Sequence, residues 1–281
     1  MRVMVAGAGG ILGRAVTAEF AGRGAEVIAL GRTDLDITDL ARVRSAAGTW
    51  KPGLVVNCAA CTNVDGAEAE PRRAFLVNGL GPRNLAVACR ETGAVLVHIS
   101  TDYVFDGSKP GTYTVYDEPR PLNVYGLSKL WGEKALLCIG GPFYLVRTSW
   151  LFGPGGNNFV TTILRIGRER GRARVVNDQQ GCPTYTLDLA RAIADLSASG
   201  CYGIYHVTNQ GSTTWYGFAK EIFGQAGLKV DLAACSTVEM KRPARRPKNS
   251  VLDPFPLAET IGYLLPPWQD ALARYVAVLN R

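Results

Sequence analysis

Short apolar runs and longer amphipathic stretches alternate through the first two thirds of the chain. Residues 2–6 (RVMVA) read as a buried strand, and 11–23 as a helix with Leu12, Val16 and Phe20 at i, i+4 spacing on one face. Strands follow at 25–30, 54–57, 94–100 (AVLVHIS) and 143–148. Between them the pattern predicts a short helical return over 36–47 capped by Thr38, a long helix over 72–92 ending at Gly93, and a helix from 121 to about 139. Repeated β-α units of this kind predict an α/β fold, a doubly wound parallel sheet with helices on both faces.

Beyond Arg147 the pattern changes. Residues 153–158 (GPGGNN), 178–184 (DQQGCPT) and 241–250 (KRPARRPKNS) are loops without clear periodicity, interrupted by helices at 187–197 and 216–226. Segment 203–207 reads as one more strand that rejoins the sheet. The expected division is a nucleotide-binding domain, 1–148 plus about 185–212, and a smaller C-terminal α/β substrate domain, about 149–184 plus 213–281.

Composition narrows the class. A chain of 281 residues suits one large α/β domain with an appendage, or two domains. No apolar run approaches the ~18 residues of a membrane span. Arg2 followed by small apolar residues has no sustained apolar region or cleavage site after it, so a cytoplasmic protein is expected. Seven cysteines, an odd number in a chain this large, point to reduced thiols. The net charge of +7 suits an anionic partner, and the phosphates of a cofactor or substrate meet that requirement.

The 32 glycines direct attention to glycine loops. Gly7, Gly10 and Gly13 lie between the first strand and the first helix as G-x-x-G-x-x-G, with Leu12 where the usual dinucleotide pattern has its last glycine. The physics is unchanged: a tight turn, backbone close to a pyrophosphate, and helix N-terminal amides facing its charge. A Rossmann-type dinucleotide site is expected. The second strand ends Leu30-Gly31-Arg32-Thr33, and an Arg there suits a 2′-phosphate, favouring NADPH over NADH, with Asp34 left as an alternative ribose ligand.

Tyr125-Gly-Leu-Ser-Lys129 puts a phenol and an ammonium one helical turn apart on one face. A nearby cation is expected to lower the phenol pKa, so that Tyr125 exchanges a proton with an alkoxide. Ser100-Thr101 ends the fourth strand, where a doubly wound fold places its ligand, and a hydroxyl there can bond a substrate carbonyl. Glycine loop, Ser/Thr after strand four and Y-x-x-x-K in that order point to a short-chain dehydrogenase/reductase.

Longer strings sharpen this. Residues 100–107 (STDYVFDG), 57–65 (NCAACTNVD), 147–150 (RTSW), 178–184 (DQQGCPT), 213–215 (TTW) and 246–250 (RPKNS) resemble the dTDP-4-dehydrorhamnose reductase family of extended short-chain dehydrogenase/reductases, nearly end to end. The resemblance implies NAD(P)H reduction of the 4-keto group of dTDP-6-deoxy-L-lyxo-4-hexulose to dTDP-L-rhamnose, with NADPH preferred and NADH second. It matches Thr101, Tyr125 and Lys129 to the catalytic trio. It assigns Gly7, Gly10, Ile11, Leu12, Gly13, Arg32, Asp36, Ile37, Ala59, Ala60, Thr62 and Asn78 to the cofactor, with Tyr125 and Lys129. It assigns Thr101, Val104, Phe105, Trp150 and Asn158 to the sugar side and Arg246 to the substrate diphosphate, for which a guanidinium fork is suited. Where some members use glutamates to bridge a dimer through metal, this chain holds Ala15 and Leu187, so no metal is expected; a homodimer is left open.

Other features invite competing readings. Cys58-Ala-Ala-Cys61 is formally C-x-x-C but overlaps the cofactor segment, so no redox or metal role is expected. His98 and His206 lie in apolar strands and read as core. Arg165, Arg168, Arg170, Arg172 and Arg174 form a basic run without interleaved aromatics, read as a solvated helix end rather than a nucleic-acid patch. Trp50, Trp131 and Trp268 read as packing. Rivals are another nucleotide-sugar 4-keto reductase or epimerase, and a non-catalytic NADP-binding regulatory subunit. Tyr103 follows the Thr101-Asp102 pair where dehydratases carry Glu, which argues against dehydration.

Overall fold

The computed structural model describes residues 1–280. Six parallel strands form its central sheet: β1 (Arg2–Ala6), β2 (Glu26–Leu30), β3 (Leu54–Asn57), β4 (Val95–Thr101), β5 (Phe143–Thr148) and β6 (Gly203–His206), in spatial order β6-β5-β4-β3-β1-β2. The inner strands are buried on both faces, which is why they read as unbroken apolar runs rather than alternating ones. Helices α1 (Ile11–Gly22) and α5 (Thr186–Ala198) cover one face, and α2 (Leu40–Trp50), α3 (Gly81–Thr92) and α4 (Val124–Ile139) cover the other.

A further core joins residues from 152–185 and 218–276, with Phe152, Tyr185, Phe218 and Tyr275 among its fully or almost fully buried aromatics. Its strands are short ladders: Leu151–Phe152 with Thr184–Tyr185, Gln180–Gly181 with Thr213–Thr214, and Arg172–Val176 with Asp231–Cys235. Among the described residues, no helix is long and apolar enough to cross a membrane.

Several elements depart from the sequence reading. The return after β2 starts at Leu40, and its cap is Asp39, whose carboxylate accepts from Ala41 and Arg42 N–H; Thr38 instead donates to Asp36. The expected long helix consists of Pro71–Phe75, a π-helical turn over Leu76–Leu80, and α3, which does end at Gly93 in the left-handed conformation. A π turn widens the helix by one residue, and such turns cluster at functional sites; Asn78 sits inside this one. Helices Val64–Ala69 and Trp268–Leu279 were not anticipated, and of Phe159–Arg170 only the basic end was. Arg172 and Arg174 lie on a strand rather than the end of the preceding helix. Of the three tryptophans read as packing, only Trp268 is buried; Trp50 and Trp131 are exposed. His98 and His206 are fully buried, as expected of core histidines.

Candidate active site

The turn from β1 into α1 shows why glycine is required there. Gly7 has φ +77°, and a Cβ on it would stand 2.5 Å from Ala59 N. A Cβ on Gly13 would overlap the Gly7 carbonyl, so α1 approaches the loop too closely for a side chain. The Gly7 and Ala8 amides donate to Leu30 O, fixing the loop on β2. Gly10 caps α1 without a side-chain bond, which leaves the first amides of the helix open toward the cleft.

That cleft runs along the carboxyl ends of the strands. One arm, about 820 Å³, is lined by Gly7, Gly9, Gly10, Arg32, Asp36, Ile37, Ala59, Ala60, Arg72 and Arg73, among others. The other, about 620 Å³, is lined by Ile11, Leu12, Gly13, Thr62, Thr101, Tyr103, Tyr125, Lys129, Thr148, Trp150, Asn157 and Trp215, among others. Gly9, Gly10, Cys58 and Ala60 belong to both walls, so the arms are continuous. Amides at a helix N-terminus, glycines with no room for Cβ and Arg32 at the far end suit a phosphorylated dinucleotide. Asp34 does not compete for it, because its carboxylate accepts Gly31 N–H at 2.8 Å within its own turn. Asp36 is held below the ordinary carboxylate range by the Thr38 amide and hydroxyl.

Asn78 makes no wall of either arm. It is fully buried; its oxygen accepts Cys61 N–H at 2.8 Å, and its amide donates to Cys61 O and Ser128 Oγ at 3.0 Å. It therefore ties the 58–62 segment to α4 instead of facing a ligand. Cys58, the first half of the C-x-x-C, has its thiol pushed up to about 12 by burial, the wrong direction for redox chemistry.

The reactive end is built on β4 and the first turns of α4. Asn123 caps α4 through Gly126 N–H, and a Cβ on Gly126 would overlap Tyr103 O, so the helix start and the 101–105 turn pack backbone to backbone. This brings Tyr125 beside Thr101, with Tyr103 edge-on to Tyr125 at 5.9 Å between ring centroids. The Lys129 ammonium donates to Ile99 O at 2.6 Å, and burial lowers its pKa to about 8. The expected lowering of the Tyr125 pKa is not observed. Burial pushes the phenol up to about 12, with Thr101 opposing the rise, because Lys129 is turned to the Ile99 carbonyl. The Thr101 hydroxyl donates to Asp102 Oδ1 at 2.9 Å and accepts Tyr103 N–H. Asp102 is buried, and burial raises its pKa to about 6. Asp102 Oδ2 and Thr148 Oγ1 are buried polar atoms without a protein partner among the described residues.

Trp150 closes the far wall. It adopts φ +48°, uncommon for a bulky residue, and its ring stacks on Trp215 with centroids 3.5 Å apart. Gly181 makes room for it, since a Cβ there would stand 2.5 Å from the Trp150 ring. Three expected substrate contacts, Val104, Phe105 and Asn158, do not reach this wall. Val104 and Phe105 are fully buried and pack with Tyr113, Leu130 and Leu252, because the turn after Tyr103 faces inward. Asn158 caps the helix Phe159–Arg170 in a capping box with Thr161, and its amide is spent on Gly153 O, Gly156 O and Tyr275 Oη. Asn157 lines the cleft in its place. Arg246 grips both oxygens of Asp65 and also faces the Tyr103 hydroxyl at the edge of the cleft. Tyr103, Thr148, Asn157 and Trp215 are wall residues the motif reading missed; Trp215 stood at the end of a string whose geometry gave no hint of stacking.

Comparison with known proteins agrees with this architecture. The RmlD substrate binding domain family matches residues 1–281. A dTDP-4-dehydrorhamnose reductase of Streptomyces griseus is 48% identical over 90% of this chain and 85% of its own. A dTDP-4-keto-6-deoxy-D-glucose reductase of Streptomyces niveus is 40% identical over 99% of this chain and 98% of its own. The crystal structure of dTDP-4-dehydrorhamnose reductase from Bacillus anthracis in complex with NADP superimposes with a TM-score of 0.96, at 41% identity over 99% of both chains. By glycine cradle, cleft and end-to-end similarity, the chain belongs to the RmlD substrate binding domain family, that of the dTDP-4-dehydrorhamnose reductases.

Proposed function

We propose that this protein reduces the 4-keto group of dTDP-6-deoxy-L-lyxo-4-hexulose to give dTDP-L-rhamnose, with NADPH as the preferred reductant and NADH as a second. The observation that carries the reading is the placement of Thr101, Tyr125 and Lys129 on one wall of a cleft continuous with the glycine cradle. Gly7–Gly13 and the α1 amides would hold the cofactor pyrophosphate, Arg32 the 2′-phosphate, and Ala59, Ala60 and Lys129 the nicotinamide end. When bound, the cofactor supplies the hydride.

The protein's own groups do the rest. Tyr125, protonated well above neutral pH, is a proton donor in the state carbonyl reduction needs, and its phenolic proton passes to the former carbonyl oxygen. Thr101 steadies that oxygen once its hydroxyl exchanges Asp102 for it. Lys129, which lines the same arm, would turn its ammonium from Ile99 O toward the nicotinamide ribose when the cofactor is bound. The Trp150–Trp215 stack offers an apolar face to the sugar or base.

Loss of nicotinamide absorbance with substrate generated in situ tests the reading. Wild type should consume NADPH and form dTDP-L-rhamnose. Tyr125→Phe should lose about 10²–10⁴-fold in turnover with little change in NADPH affinity. Near-normal turnover in that variant would remove Tyr125 from the mechanism. The Streptomyces niveus relative supports a second reading, in which a different 4-keto-6-deoxy sugar is reduced; chromatography of the product sugar separates the two. NADPH binding without turnover of either substrate would favour a regulatory subunit.

A further inference from the structure

The helix that carries Tyr125 and Lys129 bears a third ionisable group on the same face. Glu133 lies one turn beyond Lys129 and is 1% exposed. Its carboxylate is fully engaged: Oε1 accepts the Ser100 hydroxyl at 2.5 Å and Arg147 Nε at 3.1 Å, and Oε2 accepts Arg147 Nη2 at 2.7 Å. Arg147 extends Nη1 to within 3.4 Å of His206 Nε2. His206 Nδ1 faces two carbonyls, Tyr113 O at 3.0 Å and Asp253 O at 3.1 Å, so the hydrogen-bond pattern assigns the proton to Nδ1 and the accepting lone pair to Nε2. Ser100, Glu133, Arg147 and His206 are all at least nine-tenths buried. The chain of contacts thus crosses β4, α4, β5 and β6 behind the reactive wall.

A carboxylate and a guanidinium buried together are weak grounds for stability, since desolvation offsets most of their attraction. Their placement here favours a different use. We infer that Glu133 is a positioning residue for the reaction: clamped by Ser100 and Arg147, its carboxylate fixes the catalytic face of α4 against β4 and β5 and holds a fixed negative charge one helical turn from Lys129. The inference rests on the reductase reading through Lys129. Facing Lys129 are the Ile99 carbonyl and His98 from β4, the Cys58 thiol from beyond β3, and Glu133 on its own helix. His98 is held neutral by burial, and so is Cys58, so Glu133 is the charged group among them. Burial works against the ammonium, and Glu133 is the largest opposing influence. Arg147 cannot release a proton. Removing the carboxylate charge therefore leaves Lys129 as the group that sheds one.

The test uses the full chain with Glu133→Gln, Glu133→Asp and Lys129→Met. Two quantities are followed from neutral to alkaline pH: turnover, and NADPH affinity from nicotinamide fluorescence. Glu133→Gln should move the alkaline limb of both down by about one pH unit. Glu133→Asp, which keeps the charge but shortens its reach, should restore most of that shift and leave a small one. Lys129→Met should abolish the limb, and adding Glu133→Gln to it should change nothing further in the pH dependence. A Glu133→Gln limb at the wild-type pH, or an equal effect of that substitution in the Lys129→Met background, overturns the inference. Should Glu133→Gln not fold, an unshifted Glu133→Asp limb overturns it equally. If wild type turns over no keto sugar, the reductase reading fails, while the NADPH-affinity limb still decides the role of Glu133.

Discussion

Substituting Gly13 with Ala isolates the contact that shapes the cofactor cradle. The new methyl would overlap Gly7 O and stand 2.8 Å from Ala8 Cα, both backbone atoms of a loop pinned to Leu30 O. No flexible side chain can swing away, so α1 and the loop must separate. Forced overpacking costs about 1–3 kcal/mol. Ala gains about 1 kcal/mol over Gly inside a helix. The net loss is therefore about 0–2 kcal/mol, or a melting shift of a few degrees for a chain this size. NADPH affinity should suffer more, because the shift moves the amides that face the pyrophosphate; a tenfold loss corresponds to about 1.4 kcal/mol. Gly9→Ala is the control. A Cβ at Gly9 meets nothing within 4 Å, so its melting temperature should stay at the wild-type value while the methyl, standing in the cleft wall, still weakens NADPH. Thermal melting with and without NADPH, plus a fluorescence titration, reads both. Wild-type melting and affinity in Gly13→Ala would refute the cradle argument.

Further outcomes follow from the same geometry. Arg32→Ala should weaken NADPH about tenfold and leave NADH nearly unchanged, since only the former brings a 2′-phosphate; equal losses in a two-cofactor titration would detach Arg32 from that role. Asn78→Ala removes the partners of the half-buried Cys61 amide and carbonyl and of the buried Ser128 hydroxyl, so it should cost about 1–3 kcal/mol in denaturant unfolding and loosen the 58–62 wall; an unchanged midpoint would contradict this. Asp102, raised from 3.8 to about 6, stabilises the fold most in its protonated form, and that contribution is lost as pH rises through about 6. Asp102→Asn should therefore melt above wild type at pH 8 by an amount corresponding to about 3 kcal/mol or less, and the gap should close near pH 4. A gap independent of pH would place the effect elsewhere.

Much of this was legible in the sequence, for identifiable reasons. Strands 2–6, 54–57 and 143–148 are buried on both faces, so they spell apolar runs whose limits coincide with the structure. The glycine loop was legible because backbone contact leaves glycine as the residue that fits. The C-terminal ladders were not, since two-residue strands have no period and Asp231–Cys235 is largely exposed. Asn158 illustrates another limit. Asn158 and Thr161 spell a helix start, yet the resemblance drew Asn158 to the sugar. Likewise the string 100–107 marks a reactive turn without telling which members face the cleft; Thr101 and Tyr103 do, and Val104 and Phe105 turn into the core.

Tyr125 and Lys129 show most clearly what spacing can and cannot decide. Four residues on a helix guarantee that two side chains share a face. They do not decide which partner each takes. Here β4 offers Ile99 O, Lys129 donates to it, and burial, not the cation, dominates the phenol. Burial brings the Lys129 ammonium down to a pKa of about 8, with the Glu133 carboxylate opposing it. The charge state of the reactive pair is therefore set by surroundings the Y-x-x-x-K motif does not contain: burial first, with a clamped carboxylate one turn further on opposing it at Lys129. A phenol that burial keeps protonated at neutral pH stands in the state that proton donation to a ketone requires.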